Sequence, residues 1–218
     1  MEVTVPGPRD VRATLDRPAT AETNAGPGAE TVAAVVACPP HPRMGGNRAD
    51  GRLRAVASAL AERGVACLRF DYGRWDEGRG ERADAERAVV WARERYGRVG
   101  LFGYSFGGGV AVLAAAALAD DGAPVAALST LAAAARLGES GTVDVAAAID
   151  DIDCPAQVVY GERDDTADWA PLVERARTLG SRYGVVAVGA DHHFVGQRER
   201  VGETVAGFLR NQLGAPPF

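Results

Sequence analysis

Short apolar runs alternate with amphipathic helical patterns along nearly the whole chain, and this alternation restricts the fold more than any other feature. The runs at 31–38, 65–70, 99–103, 125–130, 156–160 and 185–188 have strand length. Between them, Leu53, Val56, Ala57 and Leu60 recur with the spacing of one helix face. Ala85, Ala88, Val89 and Ala92 repeat the pattern, as do Trp169, Leu172, Val173 and Ala176, and Val201, Val205, Phe208 and Leu209 form a last stripe. Residues 106–119 are apolar nearly all round, as in a helix packed deep against a sheet. Strands joined through helices run parallel, and right-handed crossovers place helices on both sheet faces. The expected class is therefore α/β, a doubly wound and mostly parallel sheet. Residues 3–5 and 11–15, separated by Pro6-Gly7-Pro8, predict a hairpin that adds antiparallel strands at one edge within residues 1–30. Residues 18–28 read as a loop.

Composition narrows the function classes. A chain of 218 residues with 47% hydrophobic content forms one domain over 1–218 and needs neither disulfide nor metal to hold its core. The formal charge of −5 argues against nucleic acid as a partner, since phosphate binding wants a basic face. All 24 basic residues are arginine, which fits a GC-rich genome better than salt adaptation at so modest a charge. Cys38, Cys67 and Cys154 lie in or beside apolar runs without metal spacing and read as small buried hydrophobes. No apolar run is long enough to cross a bilayer, and the start lacks a basic stretch followed by an apolar one. The expectation is a cytoplasmic protein with no membrane partner, a monomer or homodimer.

Ligands of doubly wound sheets bind at the carboxyl ends of the strands, so chemistry belongs just after a strand. Three loops meet that condition. Gly103-Tyr104-Ser105-Phe106-Gly107 is G-x-S-x-G between an apolar strand and an apolar helix, the setting of a nucleophile elbow. Glycine at both flanks suits a tight turn that exposes the Ser105 hydroxyl. The Phe106 amide opens the next helix, where unpaired N–H groups favour a developing oxyanion. Gly161-Glu162-Arg163-Asp164-Asp165 and Gly189-Ala190-Asp191-His192-His193-Phe194 follow two later strands. A serine hydroxyl becomes a nucleophile when a histidine takes its proton, and that histidine needs a carboxylate to hold its tautomer. Ser105, an acid at Asp164 or Asp165, and a base at His192 or His193 supply those roles in order.

With these three loops, Cys154-Pro155 and Arg69-Phe70-Asp71-Tyr72, residues from about Thr31 to about Leu213 resemble the α/β-hydrolase family. The likeness is to its small, lid-poor members similar to dienelactone hydrolases. The resemblance implies Ser105 as nucleophile, Asp164 as orienting acid and His192 as base, with His193 in the first aromatic position that relatives carry. It also implies a second oxyanion amide after the strand at 31–38. There Pro42 has no N–H to give, so Arg43 is the expected donor, with Met44 behind it. His41 is expected to pin the loop by hydrogen bonds. Met44, Trp75 and Tyr104 are expected to border substrate, and Asp84 to cap a helix. Residues 131–153 leave room for one or two short helices, hence an open, shallow site for small acyl groups. Neither a dinucleotide fingerprint nor a lysine-bearing phosphate loop is present, and Asp191-His192-His193 lacks the partners of a metal site, so no cofactor and no metal is expected. These readings converge on a serine hydrolase of a small ester or thioester, active as pH climbs through roughly 6–7. The alternatives are amide hydrolysis or acyl transfer on the same residues, or a non-catalytic protein that binds a small ligand on this fold.

Overall fold

The computed structural model describes residues 1–9, 11–18, 33–138 and 141–214. An eight-stranded sheet runs through its centre. From one edge it holds β1 (Glu2–Val5), β2 (Val11–Asp16), β4 (Ala66–Phe70), β3 (Ala33–Cys38) and β5 (Arg98–Tyr104). β6 (Leu128–Leu131), β9 (Ala156–Gly161) and β10 (Tyr183–Val188) complete it. β1 pairs antiparallel with β2, and β2 antiparallel with β4; every other pairing is parallel. The hairpin and the mostly parallel sheet are thus both present, and the fold class is as the alternation predicts. The loop expected at 18–28 and the first two residues of the run at 31–38 lie outside the described residues, apart from Pro18.

The strands are buried on both faces because helices cover both. Along β3, Ala34, Val36 and Cys38 enter one hydrophobic cluster, whereas Ala33, Val35 and Ala37 enter the other, as the period of two demands. The first cluster is closed by α2 (Arg79–Arg93), α3 (Phe106–Asp120) and α5 (Ala170–Thr178). The second is closed by α1 (Gly51–Ala61) and α6 (Arg198–Leu213) through Leu53, Val56, Leu60, Val201, Val205 and Leu209. After β4 the chain crosses over β3 to build β5 and then proceeds the other way. The order therefore reverses between β3 and β5. A crevice opens at their carboxyl ends, bordered by the loop that starts at Pro39 and by the turn at Ser105.

The segment 131–153 holds more than the expected short helices. α4 (Val145–Ala148) and a 3-10 turn (Ile149–Asp151) are preceded by a two-stranded ribbon, β7 (Arg136–Leu137) with β8 (Val143–Asp144). Two-residue strands are too short to show any periodicity in sequence. Val145, Ile149 and Ile152 are buried in the cluster beneath α3 and α5, so this segment packs down onto the domain.

Candidate active site

Ser105 occupies the turn between β5 and α3 with φ 56° and ψ −122°, a conformation that side chains rarely adopt. Such strain costs about 1–3 kcal/mol and persists only where the surroundings enforce it. Here they do. The Ser105 amide donates to the Leu131 carbonyl (2.9 Å), and its carbonyl accepts from Gly108 (2.9 Å). The flanking glycines are steric necessities. A Cβ on Gly103 would lie 2.0 Å from the Gly107 carbonyl oxygen, and one on Gly107 would lie 2.3 Å from that of Cys38. The turn can close only without them.

The loop after β10 brings His192 over this turn, with Nε2 3.0 Å from Ser105 Oγ. On its other side Nδ1 lies 2.8 Å from Asp164 Oδ2, in the loop after β9. Asp164 is buried, and its Oδ1 accepts from the amides of Thr166 and Ala167, both at 3.0 Å. The second oxygen thus faces an imidazole that must donate from Nδ1. Nε2 is then the bare nitrogen, free to accept the serine proton. Asp165 and His193 are exposed, and neither enters this array. Three residues distant in sequence meet at one sheet edge.

No protein-family model and no curated protein sequence matches the chain. Solved structures do. A lidless α/β serine hydrolase from Xanthomonas campestris superposes with a TM-score of 0.79 at 25% identity, covering 100% of this chain and 96% of that one. Est1E from Butyrivibrio proteoclasticus gives 0.81 at 20% identity over 98% and 99% of the two chains. A dienelactone hydrolase from Anabaena variabilis gives 0.74 at 20% over 100% and 98%. The chain has the lid-poor α/β-hydrolase fold. Within this fold, Val145, Ile149 and Ile152 turn the segment after β6 inward onto the domain.

The rest of the crevice is aromatic. Phe106 opens α3, so its amide has no acceptor within the helix and lies at the positive end of the helix dipole. Facing it, the loop after β3 forms a 3-10 turn (Pro42–Met44) capped by His41, whose Nδ1 accepts from the Arg43 amide at 3.2 Å. Burial, helped by the Arg43 charge, holds the His41 imidazole below its ordinary pKa, which keeps it a neutral acceptor. His41 therefore pins the loop, as expected, but it does so by engaging the very amide expected to face substrate. His41 also stacks on Trp75 (centroids 4.6 Å apart) and packs against Phe106 (4.8 Å). Trp75 is half-buried and Met44 is 81% exposed, so both retain surface at the rim. Tyr104 does not. It is 1% exposed, and its hydroxyl donates to the His192 carbonyl at 3.0 Å. The expectation that Tyr104 touches substrate is corrected: as the last residue of β5 it alternates with Leu101 and Gly103 and follows Phe102 into the core. Period-two alternation was the signal for this.

Other supporting residues escaped the sequence reading. The Trp169 indole N–H donates to the Asp164 carbonyl (3.0 Å) while its ring stacks on Tyr160 (4.3 Å). Asp-x-Thr at 164–166 is the local signal of the Asx turn that holds the acid. Glu81 is buried and accepts from the amides of Asp76 (2.9 Å) and Gly78 (2.8 Å), which ties the Trp75 loop to α2. Asp84 accepts from the Gly73 amide (2.9 Å) and from Arg9, bracing the same loop rather than capping the helix.

Proposed function

We propose that this protein is a serine hydrolase that cleaves a small ester or thioester through an acyl-enzyme. The observation that carries the reading is the unbroken array from Ser105 Oγ through His192 to Asp164, at 3.0 and 2.8 Å. His192 Nε2 takes the Ser105 proton as Oγ attacks the carbonyl carbon. The Phe106 amide stabilises the oxyanion, joined by the Arg43 amide once substrate displaces its contact with His41. His192 then protonates the leaving alcohol or thiol, and water repeats the sequence on the acyl-enzyme. The inward packing of Val145, Ile149 and Ile152 and the rim formed by Met44 and Trp75 favour small acyl groups with one apolar face. Solved structures of this shape include proteins named as esterases, among them one from Pyrobaculum calidifontis.

A fluorophosphonate probe with mass-spectrometric mapping of the adduct tests this directly. The adduct is expected on Ser105, and turnover of p-nitrophenyl acetate should fall by on the order of 10³ or more in Ser105→Ala. A labelled Ser105→Ala variant, or one with undiminished turnover, refutes the assignment. A wild-type protein with neither labelling nor turnover is the non-catalytic binder instead.

A further inference from the structure

Beneath the array lies a second layer of contacts that grips the backbone of the proposed base. Tyr104 donates its hydroxyl to the His192 carbonyl (3.0 Å), and its ring lies 5.4 Å from the imidazole. Over the same Tyr104 ring sits the Arg52 guanidinium, 4.4 Å from the centroid. Arg52 Nη1 donates to the next carbonyl, that of His193, at 3.4 Å. Arg52 is itself fixed, because its Nε (3.0 Å) and Nη2 both bond the Asp50 carboxylate. Asp50 in turn caps α1 by accepting from the Arg52 amide (2.8 Å). Two consecutive carbonyls, His192 and His193, are thus held from one side by the last residue of β5 and the first turn of α1.

From this layout we infer that Tyr104 and Arg52 are positioning residues, a clamp that holds the His192 imidazole in line between Ser105 and Asp164. The inference rests on the serine hydrolase reading above. The physical reason is that His192 belongs to a loop, and a loop left to itself samples displacements of the order of an ångström. A misplacement of about 1 Å costs up to about 10²-fold in a proton-transfer step. Burial pushes the Tyr104 phenol up to about 12, so it remains a donor at every working pH.

Tyr104→Phe removes one oxygen and keeps the ring over which Arg52 sits; Arg52→Met removes the guanidinium and keeps the stem. With p-nitrophenyl acetate each variant should lose on the order of tenfold in kcat with KM within about twofold. The double variant should fall little further than the worse single one, since both grip one peptide. The far-downfield proton resonance of His192 Nδ1–H, bonded to Asp164, should be sharp in the wild type and broadened in both variants. A merely structural role lowers the melting temperature without separating kcat from KM or disturbing that proton. Wild-type kcat and an unchanged resonance in either folded variant overturn the clamp. Should Tyr104→Phe fail to fold, Arg52→Met decides alone. Ser105→Ala measured alongside separates the two failures: if it remains active the hydrolase reading falls, and if it is inactive while the clamp variants are normal, only the clamp falls.

Discussion

Gly103 shows how much a missing methyl group can decide. Its Cβ position is occupied by the Gly107 carbonyl 2.0 Å away, and the obstacle is backbone rather than a movable side chain. Gly103→Ala is expected to cost about 3 kcal/mol, lowering the melting temperature by roughly 6–12 °C for a chain of this size. It should also lower the rate of Ser105 labelling, because the strained turn must open to admit the methyl. A variant with wild-type melting and labelling would show that the turn is looser than described. Residues of this kind are legible in sequence because the flanking glycines and the serine lie within one short motif. Tyr104, inside the same motif, is misread because its partner His192 is remote, and only the alternation of β5 betrays which way it points.

At the scale of elements, the Trp75 loop is held by charge. Glu81 on α2 receives the amides of Asp76 and Gly78 on either side of the loop's last turn, with no exposure of its own. Glu81→Ala leaves two amides without their acceptor, at a cost of about 2–4 kcal/mol, and releases Trp75 from His41. Hydrogen exchange should then quicken at residues 73–78 and 41–45 together, while the amides of β9 and β10 are unaffected. Exchange confined to 73–78 would mean that the indole does not support the loop after β3. Glu81 could not be assigned this work in advance, because a glutamate in the first turn of a helix is ordinary and the two amides that donate to it lie in an irregular segment. The long strands and helices were legible, with ends displaced by one to three residues, since burial imposes its period on every such element. The β7–β8 ribbon was not, for want of length.

For the molecule as a whole, the antiparallel hairpin is tied to the parallel sheet's helix layer by Arg9, whose guanidinium pairs with the buried Asp84 and Glu81 carboxylates of α2. Arg9, between β1 and β2, places Nε 3.1 Å from each oxygen of Asp84 on α2, and Arg87 also bonds that carboxylate. Burial outweighs these donors and raises the Asp84 carboxyl above its ordinary 3.8. The charged form is thus disfavoured in the folded state. The stability it withholds is absent at neutral pH and returns as pH falls through the raised value toward 3.8 and Asp84 takes up a proton. Arg9→Ala should therefore cost about 3 kcal/mol near pH 7 and distinctly less near pH 4, read from urea unfolding at the two pH values. An equal loss at both would exclude Asp84 as the cause. The sequence alone determined the α/β class, the strand and helix succession and the three loops that bear serine, acid and histidine, because these follow from local periodicity and from turns that only certain residues permit. Which acid and which histidine meet Ser105, and which carbonyl the Tyr104 hydroxyl grips, were decided only in three dimensions. Each depends on a hydrogen bond between segments far apart in the chain, and neighbours in sequence carry no record of that distance.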